Sequence, residues 1–444
     1  MENHVKIVPS YWDEDLELMS PETLEEIRLQ KMQKHLRYAY QNSPFYKRAF
    51  DLSGFRPEEI RDLEDFSNRV PLLTHMQMVR NQVENPPFGD FLSMGLRDVS
   101  GIYCSTGPLM MPFSTGDMDS YIITTANGLY VCGARGGDIV DVTVAHQWRL
   151  AGNVIDSAFR RIGCAVVPGG PGMAKFHINV MKRLGVTILF AFPSFAMRLA
   201  HVALGMGINP LSELKVRLII LGTDVYSDYD REMLAGTFGA EIREMYGGEE
   251  TGFVAAECPY GGGMHCFTDS ILEVVDPATG KWVETGEAGE IVTTDLSRRA
   301  MPVIRYRTGD LTGGLNLDGC PCGRTSPRLR RLQGRTGDIV RVKGIHLIPE
   351  KVEEIISRKV GLGKHQILID RHSFQERVII RVESDNLDHI PIRRRELVDN
   401  LREVTQLTVE IDFVPKGTIH QKDPVVVDNR LSSDDASLEK DLER

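Results

Sequence analysis

Long apolar runs are missing from this 444-residue chain. No stretch of 18 apolar residues occurs, so no membrane-spanning helix is expected. Between Met1 and Ser10 charges crowd the single short apolar run, which argues against a secretory leader. Positive charge is also in short supply: 52 Lys and Arg face 62 Asp and Glu, a net charge of -10. A nucleic-acid backbone or an anionic membrane would be repelled, and a small-molecule partner fits the balance better. Cysteine is scarce and odd in number, seven in all, so a disulfide framework is not expected. These absences together describe a cytoplasmic protein that keeps its thiols free or bound to metal.

What is present is an ordinary globular composition, 42% hydrophobic and 26% charged, on a chain too long for one typical core. Ser20-Pro21 is a helix-start signal, and Leu24, Ile27, Met32, Leu36 and Tyr40 follow at helical spacing up to Asn42-Ser43-Pro44. From Asp138 strands and helices alternate: strands at 139–144, 165–167, 186–190 and 216–221, helices at 153–162, 176–184 and 194–204. That rhythm predicts an α/β fold with a mainly parallel sheet, whose crevice lies at the strand carboxyl ends. Short β-branched runs at 272–275, 290–294 and 303–306 predict an antiparallel subdomain. Beyond Gly334 the order strand, helix, two strands, helix, strand predicts a small α+β unit. The boundaries read as 1–334, 335–431 and a charged, disordered tail over 432–444.

Three motifs carry the chemistry: Tyr246-Gly247-Gly248-Glu249-Glu250, Tyr306-Arg307-Thr308-Gly309-Asp310 and Gly334-Arg335-Thr336-Gly337-Asp338. In this order they resemble the core motifs of adenylate-forming enzymes. Met301-Pro302-Val303-Ile304-Arg305-Tyr306, Gly319-Cys320-Pro321-Cys322-Gly323-Arg324, Asn42-Ser43-Pro44-Phe45-Tyr46 and Phe192-Pro193-Ser194-Phe195 narrow the resemblance to phenylacetate-CoA ligases, over about Leu29 to Arg430.

The resemblance implies residue roles that the side-chain chemistry suits. Asp310 would accept both ribose hydroxyls of ATP, since a carboxylate offers two oxygens and charge-assisted bonds are strong. Glu250 would hold magnesium beside the phosphates as a hard oxygen ligand; Glu249 stands where the family has Ser or Thr. Arg335 would reach ribose or phosphate with its planar fork, and Asp338 would be the hinge of a mobile small domain over 335–431, swinging against an adenylation domain over 1–334. Lys422, within Lys-Asp-Pro-Val-Val-Val-Asp-Asn-Arg, would neutralise the α-phosphate during adenylation, although Gln421 replaces the usual preceding glycine. Thr223-Asp224-Val225-Tyr226 takes the place of the adenine-pocket turn, with Tyr246 and Gly247 beside the nucleotide. Tyr130, Phe192 and Phe195 read either as walls of an acyl pocket or as core aromatics.

One departure is pronounced. Gly101-Ile102-Tyr103-Cys104-Ser105-Thr106-Gly107, followed by Pro108, stands in for a phosphate loop that in the family is rich in glycine and carries a lysine. Ser105, Thr106 and Gly107 retain donors for phosphate, but the lysine is gone. Separately, Cys258, His265, Cys320 and Cys322 form Cys-x6-His and Cys-x-Cys half-sites whose three thiolates and one imidazole suit a structural zinc, with Cys266 as a competing ligand.

The resulting expectation is ATP- and magnesium-dependent activation of an aromatic or arylacetic acid, followed by transfer to CoA, in a homodimer as is usual for the family. Two alternatives stay open. One is an adenylyltransferase or acyl-loading enzyme that does not use CoA; the other is a degenerate, non-catalytic ligand-binding member.

Overall fold

The computed structural model describes residues 10–430, except 106–108, 223, 337–339, 344, 348, 350–351, 354, 357–363, 373–374, 385–389, 406 and 421–422. Thr106, Gly107, Asp338 and Lys422 therefore lie outside the described residues, as do the tail beyond 430 and most of the helix expected at 349–360.

The opening helix forms as its sequence dictates. Ser20 caps Pro21–Asn42 by accepting from the Thr23 amide, Pro21 occupies the first turn, and Leu24, Met32, Leu36 and Ala39 are buried along one face. The helix ends at Asn42, where Asn42-Ser43-Pro44 stops the run, and Ser43 also caps the next helix, Pro44–Ser53, which stops at Gly54 in the left-handed region. Together these helices cover Met301, Val303 and Ile304 in one apolar cluster that also holds Phe50, Phe66 and Phe113.

A nine-stranded sheet organises the middle of the chain, in the order Leu315–Asn316, Arg328–Leu329, Met264–Cys266, Gly252–Glu257, Glu241–Gly248, Leu218–Leu221, Ile188–Ala191, Ile139–Val142, Ala165–Val167. Strand Glu241–Gly248 is the dividing line: it pairs in parallel with Leu218–Leu221 and antiparallel with Gly252–Glu257. The strands Ile188–Ala191 and Leu218–Leu221 are buried at every position, as continuous apolar runs covered on both faces require. Helices Leu150–Ile162, Ala174–Leu184, Pro193–Gly205 and Asp228–Phe238 supply the cover.

Ser270–Val275, Gly289–Asp295, Tyr306–Thr312 and Leu332–Arg335 make a four-stranded antiparallel sheet. Here the third strand begins where the sequence places its end. Met301 to Ile304 are apolar because they fill the cluster beneath the opening helices, and Arg305, at φ 48°, turns the chain into the true strand. The Arg305 guanidinium pairs with Glu273, with both side chains almost wholly buried, and donates to the Val70 carbonyl.

A last sheet, ordered Val409–Val414, Gln375–Glu383, His365–His372, Val426–Asp428, packs with helix Ile390–Thr405 around its own apolar cluster. Arg371 of this sheet reaches Asp230 on helix Asp228–Phe238 at 3.2 Å. Among the described residues no helix is long and apolar enough to cross a membrane.

Candidate active site

The dividing strand delivers Tyr246 to its carboxyl end, buried, with Gly247 and Gly248 after it. Gly247 has no substitute: a Cβ there would lie 2.4 Å from the Gly252 carbonyl oxygen. The backbone then reverses through Glu249 to Thr251 into the next strand. From the antiparallel sheet Asp310 comes up opposite, held by two partners: the Tyr246 hydroxyl donates to its Oδ2 at 3.0 Å, and the Arg335 guanidinium lies 3.2 Å from its Oδ1. Asp310 and Arg335 face one another across neighbouring strands. Arg335 also donates to the Thr308 carbonyl at 2.6 Å.

Glu250 is buried, and its Oε1 has no hydrogen-bond partner. The Nδ1 of His75 stands 3.7 Å from that oxygen and 3.4 Å from the Tyr306 hydroxyl. Burial, reinforced by the Glu250 charge, raises the Tyr306 phenol well above its ordinary range, so it stays protonated. A cleft of about 190 Å³ opens here, lined by His75, Tyr306, Thr308, Gly309, Arg335 and Thr336 among others. An orphaned buried carboxylate oxygen beside a cleft suits a hard cation.

Asp224 accepts from the Val225 amide at 2.8 Å and leads to Tyr226, whose ring is covered by Arg331 with the guanidinium carbon 4.5 Å from the centroid. Ser105 closes the turn between strands Gly101–Cys104 and Met110–Phe113, its hydroxyl accepting from the Leu109 amide at 3.2 Å. Phe192 lies against Gly222, with ring carbons 3.5 Å from where a Cβ would stand, and Phe195 packs edge-on to His177 with centroids 5.6 Å apart. Tyr130 is held elsewhere, edge-on to Trp12 and beneath the Arg135 guanidinium at 3.7 Å. The structure thus joins Tyr246, Asp310 and Arg335, and does not bring Tyr130 to them.

Cys258, His265, Cys320 and Cys322 meet, all four ligand atoms lying within 4.8 Å of one another. Cys258 and Cys320 sulfurs are 3.6 Å apart, and Cys322 Sγ is 3.3 Å from His265 Nε2. Contact with Cys258 and then with the imidazole pulls the Cys322 thiol far down from its usual range. His265 Nδ1 lies 3.3 Å from the Ser326 carbonyl oxygen, which fixes the ring with Nε2 toward the sulfurs. Cys266 belongs to a different environment: it is buried in an apolar cluster with Tyr246 and Leu329, and burial pushes its thiol up to about 11. Cys132 and Cys164 are buried as apolar residues, whereas Cys104 is half-exposed.

Comparison with known proteins agrees with this layout. No protein-family model matches the chain. It is 27% identical over 401 residues to a phenylacetate-coenzyme A ligase of Aromatoleum evansii, covering 88% of this chain and 89% of that protein. It is 28% identical over 430 residues to the enzyme of the same name from Thermus thermophilus, covering 91% and 95%. Among solved structures, 2-hydroxyisobutyryl-CoA ligase with 2-HIB-AMP and CoA in its thioesterification state superposes with a TM-score of 0.89 at 25% identity, covering 98% of this chain and 95% of that one. The same ligase in a postadenylation state matches with a TM-score of 0.72. Fold and site thus define a protein of the adenylate-forming superfamily. Within it, the chain is similar to phenylacetate-CoA ligases over about 90% of its length.

Sequence reading did not single out His75. His75 follows a helix cap in an unremarkable stretch, and nothing local marks it, because Tyr306 is 231 positions away.

Proposed function

We propose that the protein activates a carboxylic acid, aromatic or arylacetic, with ATP and transfers the acyl group to CoA. A carboxylate oxygen attacks the α-phosphorus and pyrophosphate leaves. The CoA sulfur then attacks the acyl carbon of the adenylate, AMP leaves with the bonding pair, and the thiol proton passes to solvent. The observation that carries this reading is the Tyr246–Asp310–Arg335 arrangement at the junction of the two sheets.

Asp310 binds the ribose hydroxyls, its carboxylate already oriented by Tyr246 and Arg335. Arg335 offsets the charge of the nucleotide, and Asp224 with Tyr246 and Gly247 borders the base. Ser105, Thr106 and Gly107 donate to phosphate. Glu250 holds the magnesium that enters with ATP, and that ion supplies charge neutralisation for the departing pyrophosphate. Phe192 and Phe195 wall the acyl group. The closer superposition on the thioesterification state supports a present arrangement that serves thiol attack. Rotation about Asp338 then brings Lys422 to the α-phosphate for adenylation. Cys258, His265, Cys320 and Cys322 bind zinc in a closed, structural site, for which their donor set and mutual spacing fit.

The test is pyrophosphate release with ATP, magnesium and a panel of aromatic and aliphatic acids, with and without CoA. Acid-dependent release with thioester formed only when CoA is present supports the ligase. Release that yields no thioester with CoA points to an acyl-loading or adenylyl-transfer enzyme, and no release with any acid overturns the reading.

A further inference from the structure

The phosphate-loop segment has no basic residue between Gly101 and Phe113, yet a triphosphate of about four negative charges needs a cation to hold its far end. The cations near the nucleotide residues are mostly committed. Arg335 is bound to Asp310 and the Thr308 carbonyl. Arg298 is fully buried and donates to the main-chain oxygens of Glu250 and Pro112. His75 faces Glu250.

Arg149 is partnered too, but by the strand that enters the phosphate loop and by Glu249. It stands at the cap position of helix Leu150–Ile162, and its guanidinium donates to the Cys104 carbonyl at 2.7 Å, at the end of the strand that enters the phosphate loop. The same guanidinium nitrogen lies 3.5 Å from Glu249, and the side chain keeps 14% of its surface open to solvent. The backbone beside it is unusual. Trp148 adopts φ 64°, a conformation disfavoured for a bulky side chain, and is held there by the Cys104 amide donating to its carbonyl at 2.8 Å. Trp148 and Arg149 are thus fastened to Cys104 by both its amide and its carbonyl. Two departures from the family pattern, the lost lysine and the Glu249 that replaces Ser or Thr, meet at this one guanidinium.

We propose that Arg149 binds the β- and γ-phosphates of ATP in place of the missing loop lysine, with Glu249 as the counterion that it gives up when nucleotide arrives. The inference rests on the nucleotide-dependent reading above. A planar fork suits this task, because it can keep one bond to the Cys104 carbonyl while presenting its other donors to phosphate oxygens. Glu249 keeps the cation aligned in the nucleotide-free protein and sets a threshold that AMP, lacking the outer phosphates, has no means to cross.

The test compares ATP and AMP binding by isothermal titration calorimetry on the full chain, which requires no knowledge of the acid. R149A is expected to weaken ATP binding by about tenfold or more, the scale of a lost charge-assisted bidentate contact, and to leave AMP binding unchanged. R149K should recover part of the loss, and E249Q should tighten ATP binding several-fold without affecting AMP. Unchanged ATP binding in R149A, or equal losses for ATP and AMP, overturns the assignment while leaving the ligase reading intact. A wild-type protein that binds neither nucleotide overturns both.

Discussion

Tyr246 and Asp310, 64 positions apart in the chain, are joined by a 3.0 Å hydrogen bond that links the strand dividing the large sheet to the third strand of the antiparallel one. Because Arg335 holds the other carboxylate oxygen, Asp310 is fixed in orientation before any ligand arrives. Preorganisation of this kind lowers the ordering cost of binding.

Removing the carboxylate should therefore cost more than removing its support. On the proposed ribose-binding role, D310A should lose two charge-assisted bonds, about 3 kcal/mol, and kcat/KM for ATP should fall by roughly 100-fold. Y246F removes one neutral donor worth about 1 kcal/mol, so KM for ATP should rise by about fivefold with kcat little changed. Steady-state pyrophosphate release checks both, and a Y246F enzyme as impaired as D310A would show that Tyr246 does more than orient the carboxylate.

The parallel half of the fold was legible because its strands are continuous apolar runs separated by amphipathic helices. Ile188–Ala191 and Leu218–Leu221 fall within two residues of where the pattern puts them. The strand Tyr306–Thr312 was misplaced for a physical reason: its Arg, Thr, Gly and Asp have no strand character of their own, while the apolar residues before it belong to the core. Candidate site residues could be named where a motif holds them in one stretch, as with Asp310 and Glu250. His75 and Arg149 escape such a reading, since each takes its meaning from a partner on a different element.

The four-residue thiol and imidazole cluster ties the loop at Cys258–His265 to the one at Cys320–Cys322, well apart in sequence, so its loss should appear in stability before activity. C320S is expected to lower bound zinc from one equivalent to near none by plasma mass spectrometry. With structural zinc worth several kcal/mol and about 2–4 °C in Tm per kcal/mol, the midpoint should fall by on the order of 10 °C. Adenylate formation at a temperature where the variant remains folded should be near normal. Full zinc content in C320S would remove Cys320 from the ligand set, and C266S serves as the control that should retain the metal.

His35 provides a pH dependence of defined sign. It is fully buried on the opening helix, its Nδ1 lies 3.4 Å from the Arg299 guanidinium, and its Nε2 has no partner. Burial, and secondarily the Arg299 charge, depress its pKa to about 3, so the folded protein holds it neutral. In the unfolded chain the group titrates near its ordinary value of about 6.5. The unfolded state therefore binds the extra proton between these values, and the stability contribution is complete above about pH 6.5 and is lost as pH falls toward 3. The slope from this one group approaches 1.4 kcal/mol per pH unit inside the window. Urea unfolding of wild type and H35L at pH 4, 5, 6 and 7 isolates it: H35L should lose less stability on acidification, so the difference in its favour grows with each step down. Parallel curves for the two proteins would mean that His35 is protonated in the fold or that the unfolded chain shields it equally.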